Sequence, residues 1–280
     1  MKPLQYKVIK SCGSPGNGEG EFNGPRSIVQ NKFSGDIAVV DTLNNRLQVF
    51  DENLKYLRTI GGEVGSPTGE AVTIDHPLSV AFLRDGDMVV IHSIECSPTH
   101  MSLITEDGQF IRKFSERVFR PSTVFVRNGD DGDHVIVCDK ADRKIKVLSP
   151  DGVQLLQSFG DPDCDDSPAC AFYHCDKFFV SYHLANCIKV FNEQGEFIFN
   201  IGCEGSGEGL LNYLCGLVVD AFDNLIVCDN RSNRLQMFTQ DGEFLSSFYQ
   251  EIQSPWGMAI SKTGDLLLTD MGKQRIIILQ

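Results

Sequence analysis

The sequence predicts an all-β protein: a six-bladed β-propeller in which an N-terminal strand completes the last blade. Three observations predict it. A β-branched run ending on a polar residue recurs at Asp41, His92, Asp139, Tyr182, Asp229 and Asp270, at steps of 41–51 residues. Three further runs of strand length accompany each copy in a constant order, and four-strand repeats of roughly 40–45 residues mark propeller blades. Finally, the sixth copy stops at Gln280 after its third strand, while a spare strand, Tyr6-Lys-Val-Ile9, stands near the start. Joining these ends removes open sheet edges that would otherwise template aggregation.

Each element follows from this register. The first strand opens with Pro25-Arg-Ser-Ile, Pro77-Leu-Ser-Val, Pro121-Ser-Thr-Val, Pro168-Ala-Cys-Ala and Pro255-Trp-Gly-Met; blade 5 departs with Leu214-Cys-Gly-Leu. The second is the β-branched run, as in Ile37 to Val40. The third alternates, as in Leu47-Gln-Val-Phe, Ile145-Lys-Val-Leu, Ile188-Lys-Val-Phe and Leu235-Gln-Met-Phe. The fourth covers Leu57 to Ile60, Phe110 to Phe114, Leu155 to Phe159, Phe197 to Ile201 and Phe244 to Phe248. Turns such as Asp107-Gly108, Asp151-Gly152, Gln194-Gly195 and Asp241-Gly242 feed it, and such pairs between alternating runs are strong hairpin signals. The expected organisation is one domain over 1–280, with a closing strand at 4–12 and blades near 25–62, 77–115, 121–160, 168–202, 214–249 and 255–280.

Composition narrows the function classes. No run approaches the ~20 apolar residues of a membrane span, and no basic-plus-apolar leader opens the chain. The start, Met-Lys-Pro-Leu-Gln-Tyr-Lys, reads as that of a domain cut from a longer protein. Of the 10 cysteines, Cys138, Cys170 and Cys228 fall inside strand runs. Buried free thiols point to a reducing compartment, cytosol or nucleus, and of these a cytoplasmic location is expected. Cys170, His174 and Cys175 lack zinc-ligand spacing, so no metal and no cofactor is expected. The net charge of −13 argues, taken alone, against a polyanionic partner. Much of it lies in connectors and turns: Glu19 and Glu21, Asn128 to Asp133, Asp161 to Asp166, and residues 202–210. The glycine-rich stretch at 11–24 lacks the lysine and helix of a phosphate loop and reads as a connector.

The motif Asp-x-x-x-Asn-Arg-φ-Gln-φ-Phe, where φ is apolar, is complete at Asp41 to Phe50 and Asp229 to Phe238 and degenerate at Asp270 to Leu279. With the proline opening and the Phe/Ile-Gly close, it resembles the NHL repeat. The insertion around Ser97-Pro-Thr-His100, followed by Asp107-Gly-Gln-Phe-Ile-Arg-Lys-Phe114, is similar to the second blade of tripartite-motif NHL proteins of the brain-tumour-protein group. The resemblance covers essentially the whole chain. It implies a domain that binds single-stranded, uridine-rich RNA on one face of the ring and acts in post-transcriptional repression. The alternative it implies is a protein-recruitment platform of a ubiquitin ligase or adaptor. Expected partners are therefore single-stranded RNA and proteins of a repression or ubiquitylation complex, with neither a membrane nor a DNA duplex.

The loop entering strand one and the loop leaving strand two open on the same face. There the chain interleaves cations with aromatic rings, the combination single-strand binding uses. The candidate contacts are Arg231, Trp256, Tyr213, Arg26, Tyr182, His183, Asn230, Lys140, Arg120 and Lys273, centred towards blades 4, 5, 6 and 1. The framework residues Arg46, Arg234 and Arg275 are assigned to turn-holding pairs with the aspartate column. Catalysis is not expected. Metal-dependent enzymes on such rings need carboxylates or histidines converging on the channel, and the segments Ser27 to Val29, Ser79 to Phe82, Thr123 to Val126 and Met258 to Ile260 carry none.

Overall fold

The computed structural model describes residues 6–65, 71–93, 99–129, 132–249 and 251–280. Ile94 to Pro98 of the blade 2 insertion, Asp130 and Asp131 of the acidic hairpin, and residues 4 and 5 of the expected closing segment lie outside them.

The chain enters through β1 (Val8–Cys12). Blade 1 comprises β2 (Pro25–Gln30), β3 (Ile37–Asp41), β4 (Arg46–Phe50) and β5 (Tyr56–Gly65). Blade 2 is β6 (Ala71–Phe82), β7 (Met88–Ser93), β8 (His100–Ile104) and β9 (Phe110–Lys113). Blade 3 is β10 (Pro121–Gly129), β11 (Gly132–Asp139), β12 (Lys144–Leu148) and β13 (Leu155–Phe159). Blade 4 is β14 (Pro168–His174), β15 (Lys177–Tyr182), β16 (Cys187–Asn192) and β17 (Phe197–Ile201). Blade 5 is β18 (Leu214–Val219), β19 (Leu225–Asp229), β20 (Arg234–Phe238) and β21 (Phe244–Phe248). Blade 6 holds β22 (Pro255–Ile260), β23 (Leu266–Asp270) and β24 (Arg275–Leu279). β1 is its fourth strand, antiparallel to β24 with Val8 opposite Leu279 and Cys12 opposite Ile276. The six-bladed, N-terminally closed ring is thus as the repeat register predicts. Among the described residues, no helix is long and apolar enough to cross a membrane.

Turn chemistry sets the hairpins. Between third and fourth strands, Gly108, Gly152, Gly195 and Gly242 sit at φ between 68° and 93°, and the ladder shifts by one residue beyond each turn. This is the three-residue hairpin with a left-handed closing residue, which suits glycine. One feature differs from the register. β5 and β6 run past the blade boundary and pair with each other, Gly62 opposite Ile74 and Gly65 opposite Ala71. The extra ladder joins blades 1 and 2 into one eight-stranded sheet.

Both faces of every blade are buried. Val40, Leu47 and Val49 of blade 1 pack on Val80, Met88 and Val90 of blade 2. Analogous clusters fill the remaining interfaces round to Ile28, Val39 and Phe50, which meet Leu267, Ile276 and Ile278 of blade 6. The alternating third strand therefore supplies apolar side chains to the cores, while its polar positions turn to a second network.

That network centres on the aspartates ending the second strands, all fully buried. Asp229 Oδ1 accepts the Asn212 backbone N–H at 2.8 Å; its Oδ2 accepts Arg234 Nε at 2.7 Å and Gln236 Nε2 at 3.1 Å. Arg234 donates onward to the carbonyls of Gly207 and Leu210. Asp41 repeats the pattern with Asn23, Arg46 and Gln48, and Asp270 with Gln253 and Arg275. In blade 3, Lys146, at the position of Gln48 and Gln236, supplies the cation and reaches Asp139 at 2.8 Å. Each carboxylate thus ties the loop before its blade to the third strand. Charge-assisted bonds of this kind are the strong ones, and burial leaves no water to replace them.

Two predictions follow from the network. Asp229→Ala strands the buried Arg234 guanidinium without its counter-charge and should cost about 3–5 kcal/mol in urea unfolding, the range for breaking a buried pair from one side. For Asp139, burial pushes the carboxyl up, but the Lys146 ammonium and the N–H groups of Phe119, Arg120 and Ala141 override it, so the net shift is downward. Its stabilisation is therefore present above the unfolded carboxylate value of ~3.9 and is lost as pH falls through the lower folded value. Unfolding titrations should show a shallower acid limb for Asp139→Asn than for the parent.

Candidate binding site

The loops that enter first strands and leave second strands gather at one mouth of the central channel, a cavity of about 450 Å³. Glycines bring two inner strands unusually close there. A Cβ on Gly257 would lie 2.1 Å from the Arg26 carbonyl oxygen, and one on Gly216 would lie 2.7 Å from that of Trp256. This approach sets Arg26 against Trp256, with the guanidinium carbon 4.8 Å from the ring centroid.

Tyr213 is presented by a different device. It immediately precedes the blade 5 opening residue and sits at φ 59°. Its N–H donates to Asn186 Oδ1 at 2.7 Å, and Asn186 is itself left-handed at φ 50°. The same bond links Asn45 to His76, Asn233 to Ser254 and Gln274 to Gly24, each acceptor four residues beyond the end of a second strand. Asparagine, and glycine at Gly24, tolerate these backbone angles better than most residues do. On the other side, Asn212 is held by Asp229, and its carbonyl accepts the Arg231 N–H at 3.2 Å. The guanidinium of Arg231 consequently lies 4.6 Å from the Tyr213 centroid.

His183 stacks on Tyr213, with centroids 4.5 Å apart and planes 2° from parallel. Its Nδ1–H donates to the Leu214 carbonyl. Burial pushes its pKa down despite that bond, and Lys140 and Arg26 push the same way, so the ring is neutral at neutral pH. Trp256 stands 6.2 Å from His183 and 6.4 Å from Tyr213, tilted to both. Arg231, Tyr213, His183, Trp256 and Arg26 thus form one continuous cluster across blades 5, 4, 6 and 1.

Lys140 lines the channel mouth beside it. Burial lowers its pKa, as do the nearby charges of Arg120 and Arg26. Burial likewise pushes Arg26 down from its ordinary value. Among the described residues, no carboxylate forms an ion pair with Arg26, Arg120, Lys140 or Arg231, although other surface cations such as Arg143 and Lys262 are paired. The mouth cations lack ion-pair partners among the described residues, although the Asp166 carboxylate acts on Lys140 and His183 from nearby.

Three candidates lie elsewhere. Tyr182 is 1% exposed, inside the core between blades 3 and 4, and its hydroxyl finds no partner. It occupies the aspartate column, whose side chains turn inward, so it cannot touch a ligand on the rim. Asn230 is buried and donates to the Pro255 carbonyl at 3.0 Å, bracing blade 6. Lys273 is exposed but caps the Glu251 carbonyl at 2.8 Å. Loss of the aspartate at Tyr182 is compensated rather than functional. Asp166, two residues before Pro168, accepts the N–H groups of Leu184 and Ala185 at 2.7 and 3.1 Å, so the carboxylate has moved to the other side of the loop pair. In blade 2, His92 instead bonds Ser102 at 2.8 Å. Sequence reasoning missed Asn186 and Gly257 as positioning residues. The recurrent asparagine of the repeat motif was the available signal for the first; nothing local marked the second.

A family model described as a six-bladed β-propeller matches residues 170–262. Protein brain tumor of Drosophila melanogaster is 32% identical over 161 residues, covering 56% of this chain and 14% of that protein. The B-box type zinc finger protein ncl-1 of Caenorhabditis elegans is 32% identical over 159 residues, covering 55% and 17%. Human E3 ubiquitin-protein ligase TRIM32 is 26% identical over 293 residues, covering 95% of this chain and 43% of that protein. The chain thus spans less than half the length of these relatives. Among solved structures, a streptogramin B lyase superposes with a TM-score of 0.65 at 13% identity, covering 98% of this chain and 97% of its own. The WD40 propeller domain of Doa1 reaches 0.64 at 10%, with the same coverage. At such identities the structural matches speak to the fold alone. The chain is a six-bladed β-propeller, with the tripartite-motif NHL proteins brain tumor, ncl-1 and TRIM32 among its homologues.

Proposed function

We propose that this propeller binds single-stranded, uridine-rich RNA across the mouth formed by blades 4, 5, 6 and 1, and acts in cytoplasmic post-transcriptional repression. The observation that carries the reading is the union of unpaired cations with stacked rings: Arg26, Arg120, Lys140 and Arg231 beside His183, Tyr213 and Trp256. Cations suit phosphates, and flat rings suit unstacked bases, each stacked base contributing ~1–3 kcal/mol. A duplex offers no such exposed bases. The net charge of −13 does not oppose this, because field strength at a mouth depends on local charges within a Debye length of about 8 Å.

The role is binding rather than catalysis. Asp220, the carboxylate lining the channel, is held by the N–H groups of Phe222 and Asn224 and by Asn224 Nδ2, which suits a turn rather than a reacting group.

A protein-recruitment reading has its own support. Leu43, Phe119 and Leu184 stand 56%, 61% and 73% exposed on the loops of the same face, a pattern that suits an apolar partner segment.

Fluorescence-anisotropy titrations with labelled U-rich, A-rich and C-rich strands at two salt concentrations separate the readings. Binding should be tightest to the U-rich strand. Its affinity should fall with salt at a log–log slope of up to about −3, given ~0.7 per phosphate contact and four unpaired cations. Arg231→Ala and Trp256→Ala should each weaken it by about tenfold or more, while Tyr182→Phe should leave it unchanged. No binding at tens of micromolar protein in low salt would overturn the RNA reading in favour of a protein partner.

A further inference from the structure

The opposite mouth of the channel holds a second cluster, of different chemistry. The turn joining β14 to β15 has two residues, Cys175 and Asp176, flanked by the His174–Lys177 pair. Both turn residues are left-handed, at φ 45° and 59°, the geometry of a type I′ hairpin. Within a strand, adjacent side chains point to opposite faces. His174 ends the strand and Cys175 begins the turn, so here the two neighbours reach the same side. The neighbouring blade brings Asp223, from the turn after β18, to within 2.9 Å of His174 Nε2. One potential ligand atom from each of His174, Cys175 and Asp223 lies within 4.8 Å of the others.

We propose that His174, Cys175 and Asp223 form a binding site for a thiophilic divalent cation of the Zn²⁺ type. The donor set is one imidazole nitrogen, one thiolate sulfur and one carboxylate oxygen. Zn²⁺ takes all three at about 2.0–2.3 Å in tetrahedral geometry, and its sites with three protein ligands keep the fourth position for water or an incoming group. Hard cations such as Mg²⁺ and Ca²⁺ prefer all-oxygen shells and gain little from the sulfur. The side chains of His174 and Asp223 are 30% and 68% exposed, so a metal has an open path. Binding replaces the His174–Asp223 hydrogen bond with coordinate bonds from His174, Asp223 and Cys175; the imidazole proton shifts to the other ring nitrogen and the thiol proton leaves to solvent. The other carboxylate of the turn, Asp176, is engaged by the Tyr173 hydroxyl at 3.0 Å. The sequence conceals this site because its third ligand comes from another blade. Neither the RNA reading nor the repeat framework uses any of the three residues.

The test is Co²⁺ titration of the reduced, metal-stripped protein, followed by absorption. A thiolate-to-cobalt charge-transfer band should saturate at one equivalent and disappear on adding Zn²⁺. Cys175→Ser should abolish the band, whereas Cys203→Ser, at another exposed thiol, should retain it. Asp223→Asn and His174→Gln should weaken binding by at least ~10-fold, the lower end of what even outer-shell partners contribute. All of these positions are on the surface, and far-ultraviolet circular dichroism with the RNA titration checks that each variant is folded. The absence of a saturable band, or its persistence in Cys175→Ser, would overturn the proposal.

Discussion

The buried carboxylate at the end of the second strand is the constraint on which the regular blades depend. It is the one group that touches three parts of a blade at once: its own strand, the third strand through Arg or Lys, and the loop arriving from the previous blade. A β-sheet alone specifies pairing within a blade but not how the connecting loops lie on the ring face. Here an ionised group deep in the protein does so. A carboxylate buried there demands several donors in fixed directions. The loop residue held by Asp229 is Asn212, directly before Tyr213, and the chain leaving the same strand carries Arg231. The framework therefore positions the two residues that stack on each other at the mouth.

A second repeated contact shapes the candidate binding face on this framework. The left-handed Asn186 accepts the N–H of left-handed Tyr213, so blade 4 orients the ring offered by blade 5. Gly257 does the equivalent between blades 6 and 1 by admitting the Arg26 backbone. The aromatic–cation cluster is thereby assembled from four blades without any loop longer than the repeat supplies. Because neutral His183 lies against Tyr213 while Lys140 and Arg26 stay beside it, the cluster joins ring faces to cations that form no ion pair among the described residues.

The ring was legible because it is written six times. Period, turn pairs and the missing sixth outer strand all point to one architecture. The site was half legible. Trp256, Tyr213, Arg231, Arg26 and His183 could be found by loop position alone, since any side chain flanking an opening residue or leaving a second strand has access to the mouth. Tyr182 and Asn230 could not be excluded that way: at a strand end, one residue's difference in register decides between rim and core. Tyr182 stands in a column otherwise filled by buried aspartates, and that column was the better guide. Asp166 was legible only as part of an acidic connector; its compensating role was not, because compensation exchanged donor and acceptor across a loop pair, leaving no residue type in its expected column. The β5–β6 arm falls between repeats, where periodicity has nothing to say.

In the proposed mode of binding, a single strand lies on this mouth and nowhere else on the ring. Photo-crosslinking of a 4-thiouridine-substituted U-rich strand, with the modified peptides mapped by mass spectrometry, tests it most directly. Crosslinks are expected at Tyr213, His183 and Trp256. Crosslinks confined to the outer strands or to the opposite mouth, around Phe33 and Phe222, would contradict it.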